Sequence, residues 1–163
     1  VLTTTKLRTI VDEWDGCAHQ RMLLSLFAYH GNRPQDWCVG YGEENTNEDG
    51  YYDPTTQTMH LFKGKTQEQG TERVFQVHEK VAECIAKVQS AKPSPHLVPN
   101  TEGNCGNVKF IRDEVNKMLP IPPSVSPNDL RHLYETHIRY VERLPRNKRL
   151  KLMGGIAHSD STS

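Results

Sequence analysis

The composition of this chain turns β-like in one stretch. From Thr56 to Val77 the pattern is of β type, and on either side the apolar positions recur every three or four residues. A strand needs a repeat of two and a helix one of about 3.6, so the two patterns cannot share one backbone conformation. The chain must therefore set a single β-hairpin between two groups of helices. Thr56 to Lys65 (TQTMHLFKGK) is strand-like around Met59 to Phe62. Gln67 to Thr71 turns at Gly70, and Arg73 to Val77 (RVFQV) returns.

Ahead of the hairpin, Leu2 to Val11 opens on threonines able to cap a helix, with Leu7, Ile10 and Val11 at helical spacing. His19 to His30 (HQRMLLSLFAYH) carries an apolar stripe through Met22, Leu23, Leu26 and Phe27, and stops at Gly31-Asn32. Arg33 to Trp37 can begin another helix, with Pro34 in its first turn. Glu43 to Tyr52 is polar and reads as a loop. Behind the hairpin, helices are predicted over His78 to Ser90, Val108 to Leu119, Leu130 to Leu144 and Lys148 to Met153. Lys92 to Gly106 reads as loop, Pro120 to Pro123 as a breaker, and Ser126 to Asp129 as a strong helix start. The fold class expected is α+β, mainly helical, in one domain: a helical bundle with a small antiparallel hairpin or sheet.

Composition narrows the function. With 163 residues, 35% of them apolar, and a mean hydropathy of −0.70, the chain suits one small domain. No run approaches the roughly 18 apolar residues of a membrane helix. The 4 cysteines (Cys17, Cys38, Cys84, Cys105) form no CxxC, so reduced thiols are expected rather than a metal site. The 20 basic and 20 acidic residues cancel, which argues against a polycation that coats nucleic acid. The charges are segregated, however: Glu43 to Asp53 is acidic, and Arg139, Arg143, Arg146, Lys148, Arg149 and Lys151 make a basic stretch able to face phosphates.

Four places can carry chemistry. Arg33 stands at a helix-to-turn junction, where its planar fork suits a phosphate, and Asp36 could hold the guanidinium or its neighbours in place. Lys63 and Lys65, near the hairpin tip, could protonate a leaving alkoxide. Arg131, with His132 beside it, sits in the expected first turn of a helix, where the helix dipole favours an anion. His158 follows a glycine-rich bend and could donate a hydrogen bond to a phosphoryl oxygen. Each alone also fits an ordinary surface pair, a solvated lysine, a boundary residue or a polar tail.

Order and spacing tie the four together. LTTTKLRTIVD, LLSLFAYHGNRPQDW, FKGKTQ with its valine-rich strand, DLRHLYETHI and MGGIAHSDSTS follow one another as do the boxes of the tyrosine recombinases, the phage-integrase family, which the chain resembles from Leu2 to its last residue. The resemblance implies that Arg33, Arg131 and His158 bind the scissile phosphate and that Lys65, or Lys63 in its place, is the general acid for the 5′ hydroxyl. Asp36, Asn128 and His132 would be supporting residues. Arg139, Arg143, Arg146, Lys148 and Arg149 would meet DNA. It implies site-specific recombination or integration through a 3′-phosphotyrosyl link, double-stranded DNA as partner, and tetramers on DNA in the full-length protein. It further implies no metal or other cofactor, no membrane, an origin in a transposon or virus, and an intracellular, DNA-associated setting (nuclear in a eukaryote, cytoplasmic in a bacterium).

The chain departs from the family pattern at three points. Asn128 stands three residues before Arg131, where the family usually has His or Lys. Gly155 to Ala157 separate Gly154 from His158, where the family usually has Gly-His in succession. The nucleophilic tyrosine is expected beyond Ser163, since Tyr134 and Tyr140 lie on the second-box helix. Residues 1–163 are thus expected to be a single catalytic domain lacking the N-terminal clamp and the tyrosine segment, and inactive without that tyrosine. The alternatives are a non-catalytic DNA-binding relative and an unrelated helical interaction module.

Overall fold

The computed structural model describes residues 2–62, 72–119 and 126–153. The expectations placed on Lys63, Lys65 and His158 lie outside these residues.

Helix α1 (Thr4–Glu13) starts where the Thr3 side chain accepts the Lys6 N–H at 3.1 Å, and it buries Leu7 and Val11. Helix α2 (Ala18–Tyr29) is buried on every side from Met22 to Tyr29, not along a stripe. The reason is position: α2 packs against α1, α3 (Glu79–Ala91), α4 (Val108–Met118) and α5 (Pro127–Thr136), and a helix surrounded by others has no solvent face to keep polar. Within it, Ser25 Oγ donates to the Met22 carbonyl at 2.6 Å. The expected helix after Arg33 is a single 3-10 turn, Pro34–Trp37, that seats Trp37 fully in the core.

The sheet is larger than one hairpin. Strands β1 (Gly40–Tyr41), β2 (Gly50–Asp53), β3 (Thr58–Leu61) and β4 (Arg73–Gln76) lie in the order β1-β2-β3-β4. The β3–β4 hairpin is antiparallel, with Thr58 opposite Gln76 and Leu61 opposite Arg73. Strand β2 corrects the end of the segment read as loop from Glu43 to Tyr52, since Gly50 to Tyr52 are strand and β2 pairs parallel to β1. Two and four residues are too few to show alternation, and a polar 3-10 turn, Glu43–Asn45, separates them. Gly40 is required here, because a Cβ would come within 1.8 Å of the Asn45 carbonyl oxygen.

The later helices follow their capping signals. Asn107 caps α4, its Oδ1 accepting the Phe110 N–H at 2.8 Å. Ser126 and Asp129 form a reciprocal capping box on α5, with Pro127 in the first turn. The single helix expected from Leu130 to Leu144 is not continuous. After Thr136 the chain widens into a π-helical turn, His137–Val141, then reverses at Arg143 (φ 54°) before α6 (Arg146–Leu152). The widening lets two successive residues, His137 and Ile138, both face the core. The 4 cysteines are free thiols, and burial pushes Cys38 up to about 12.

Candidate anion pocket

The segment Gly31-Asn32-Arg33-Pro34-Gln35-Asp36 is the centre of the site, and its position is set from behind. His30 is buried; its Nε2 accepts the His78 N–H at 3.0 Å, and its ring lies edge-on to Trp37 at 5.3 Å. Burial, then the nearby His78 and Arg8, lowers its pKa to about 3, so it stays neutral and serves as a structural acceptor. This joins the end of α2 to the start of α3 and aims the next residues outward.

Arg131 reaches that segment from 100 residues further along the chain. Its Nε donates to the Gly31 carbonyl at 2.8 Å, and Nη2 donates to the Met153 carbonyl at 3.1 Å. The side chain is half-buried and bound to carbonyls rather than to a carboxylate. Burial holds the guanidinium below its ordinary value, and the like charge of Arg33 adds to this; Asp36 and Glu135 oppose it, while Arg73 again lowers it. The Arg33 side chain, exposed at the start of the 3-10 turn, makes no hydrogen bond or ion pair among the described residues. Two guanidiniums within electrostatic reach, one with none of its donors taken, form a place for an anion.

Gly31 makes this closure possible. A Cβ there would lie 2.4 Å from Met153 Sδ and 2.7 Å from the Tyr134 ring. Helix α5 and the end of α6 therefore close directly on the glycine two residues before Arg33, which leaves Met153 beside Arg131. A cleft of about 910 Å³ adjoins the site, walled in part by Asn32, Arg73, Phe75, Tyr134 and Lys151.

The supporting residues are disposed differently from expectation. Asp36 holds a neighbour of Arg33 rather than Arg33 itself: its Oδ2 accepts from Asn32 Nδ2 at 3.3 Å, and also from Arg73 Nη2 at 2.8 Å. Arg73 was read only as a strand residue; 37 positions separate it from Asp36, and no local pattern announces such a pair. Arg131 falls in the second turn of α5, not the first, because the helix begins at Pro127. At the start of the helix the Ser126–Asp129 box takes up the Ser126 and Asp129 N–H groups. Asn128 and His132 are exposed, one turn apart, with Nδ2 and Nε2 separated by 3.4 Å. Of the basic stretch, Arg139 sits on the π-helical turn with its guanidinium 5.2 Å from the Tyr140 ring centre; Arg143 marks the reversal; Arg146, Lys148 and Arg149 belong to α6. Tyr134 is buried and pushed up to about 12 by burial, which removes it from consideration as a nucleophile. No helix among the described residues is long and apolar enough to cross a membrane.

The fold is that of the catalytic domain of tyrosine recombinases. The solved structures it resembles include the XerA recombinase, at 14% identity and a TM-score of 0.71, over 99% of this chain and 56% of that one. They also include the XerH site-specific recombinase bound to difH substrate, at 15% identity and a TM-score of 0.67, over 99% of this chain and 48% of that one. A third is a lambda integrase dimer bound to a COC′ core site, at 13% identity and a TM-score of 0.64, over 99% of this chain and 46% of that one. The chain thus spans about half the length of the structures it matches. No protein-family model and no curated protein matches the sequence.

Proposed function

We propose that residues 1–163 are the catalytic domain of a tyrosine recombinase that acts in site-specific recombination or integration of double-stranded DNA. The observation that carries this reading is that Arg131 hydrogen-bonds Gly31, 100 residues away in the chain and two before Arg33, within electrostatic reach of an Arg33 whose donors are open among the described residues. In this reading the two forks bind the non-bridging oxygens of the scissile phosphate. Negative charge grows there in the pentacoordinate transition state, where fixed donors stabilise it most. A tyrosine supplied from beyond Ser163 attacks phosphorus and gives up its phenolic proton to solvent, the bond to the 5′ oxygen breaks, and Lys65, or Lys63 in its place, protonates the leaving oxygen. His158 hydrogen-bonds a phosphoryl oxygen. The 3′-phosphotyrosyl link keeps the bond energy, so the returning 5′ hydroxyl can reseal the strand without a nucleotide. No step needs a metal or cofactor. Arg139, Arg143, Arg146, Lys148 and Arg149 meet the DNA backbone, and the whole protein assembles into a tetramer on DNA inside the cell. Its source is a mobile element, a transposon or a virus.

Covalent trapping of the full-length parent protein on nicked duplexes from the ends of its own element tests the proposal. The expected result is a protein–DNA adduct on a denaturing gel, absent in Arg33→Gln and Arg131→Gln. Salt-sensitive duplex binding without an adduct would favour a non-catalytic DNA-binding relative. One feature favours that second reading: Asn128, which cannot exchange a proton near neutral pH, stands in place of a histidine or lysine.

A further inference from the structure

Asp36 should, by its position, be the partner of Arg33. Arg33 caps the 3-10 turn and Asp36 lies within it, with the Asp36 N–H bonded to the Arg33 carbonyl at 2.9 Å. Side chains three apart in such a turn lie over one another. An arginine and an aspartate so placed would close a fork-to-carboxylate pair and leave Arg33 nothing to offer an anion. That pair is not formed. Instead the Asp36 carboxylate turns to β4 and accepts from Arg73 at 2.8 Å, with Asn32, itself only 4% exposed, as second donor to the same oxygen. The side chains of Arg73 and Asp36 are 24% and 11% exposed, so solvent screens their attraction far less than in a surface pair. Arg73 and Asp36 neutralise one another, and the charge of Arg33 and Arg131 is left for a ligand.

We infer that Arg73 is a positioning residue of the anion pocket, holding the Asp36 carboxylate away from Arg33; the inference rests on the phosphate-pocket reading above. Removing Arg73 frees a carboxylate beside Arg33 and lowers the positive charge of the pocket by one. Removing Asp36 as well takes away the competitor. The two changes therefore have opposite effects on anion affinity, although both break the same ion pair.

The test measures binding of the full protein to a fluorescent mixed-sequence duplex, with its salt dependence, alongside thermal melting. Arg73→Gln is expected to weaken binding by roughly tenfold, about the worth of one charge-assisted hydrogen bond. Asp36→Asn is expected not to weaken it, and the double variant Asp36→Asn, Arg73→Gln to recover most of the loss, whatever the melting temperatures do. Equal losses in both single variants with no recovery in the double would make the pair a structural tie only and overturn the inference. So would a double variant as weak as Arg73→Gln, which would put Arg73 itself on the phosphate. Arg33→Gln is the separate control. If it changes neither affinity nor salt dependence, the pocket reading falls; if it weakens binding while Arg73→Gln does not, only this inference falls.

Discussion

Gly31 and His30 show how single residues set the site. Gly31 lies where the Tyr134 ring and Met153 converge. Met153 can yield, being the end of a flexible side chain, but the ring cannot without moving α5. Gly31→Ala is therefore expected to cost about 1–3 kcal/mol, as overpacking does in a filled interior, and to disturb the Arg131 bonds to Gly31 and Met153. Urea denaturation measures the first effect, duplex binding the second. His30 adds a pH dependence with a definite sign. Its pKa is about 3 in the folded protein against 6.5 in the open chain. The unfolded state thus takes up a proton that the native state refuses, and the contribution of His30 is complete above pH 6.5 and is lost as the pH falls toward 3. The slope approaches ~1.4 kcal/mol per pH unit. Burial shifts His19, His78 and His137 in the same direction. Denaturation of His30→Gln across this range should show a flatter decline than the unaltered protein, from a lower starting stability.

Elements depend on signals of very different range. The start of α5 is wholly local: Ser126 accepts the Asp129 N–H at 3.1 Å and Asp129 accepts the Ser126 N–H at 2.9 Å. Ser126→Ala is expected to destabilise the fold by about 1 kcal/mol. Because α5 carries Arg131, calorimetric melting and duplex binding should fall together. The end of the same helix is not local. Nothing between Leu130 and Leu144 marks a stop, for the apolar spacing continues; the π-helical turn forms because packing buries His137 and Ile138 side by side. Likewise β1 and β2 exist because Gly40 and Gly50 allow close approach to the Asn45 and His60 carbonyls, contacts that a strand of two or four residues cannot advertise. The β3–β4 hairpin was legible, since both of its strands are strand-like in composition and a glycine lies between them.

Over the whole molecule, formal charge is zero, yet the two signs are kept apart along the chain. The acids from Glu43 to Asp53 surround β1 and β2, while the bases from Arg139 to Lys151 run from the π-helical turn through α6. A neutral total is thus compatible with a basic face. Lys148→Gln is expected to weaken duplex binding evenly across sequences and to lower the salt slope by about one; titration at several salt concentrations reads both. The sequence by itself determined the caps, the helices of the bundle, the hairpin and the residue types of the pocket, because capping and periodicity act within a few positions. It left Arg73 unmarked as the partner of Asp36, and it put Arg131 in the wrong turn of its helix. Tertiary structure alone decided these, along with the closure of α5 and α6 on Gly31. Their partners are 37 and 100 residues apart, and which charges pair at such distances is chosen only when packing around α2 brings the elements together and excludes water from between them.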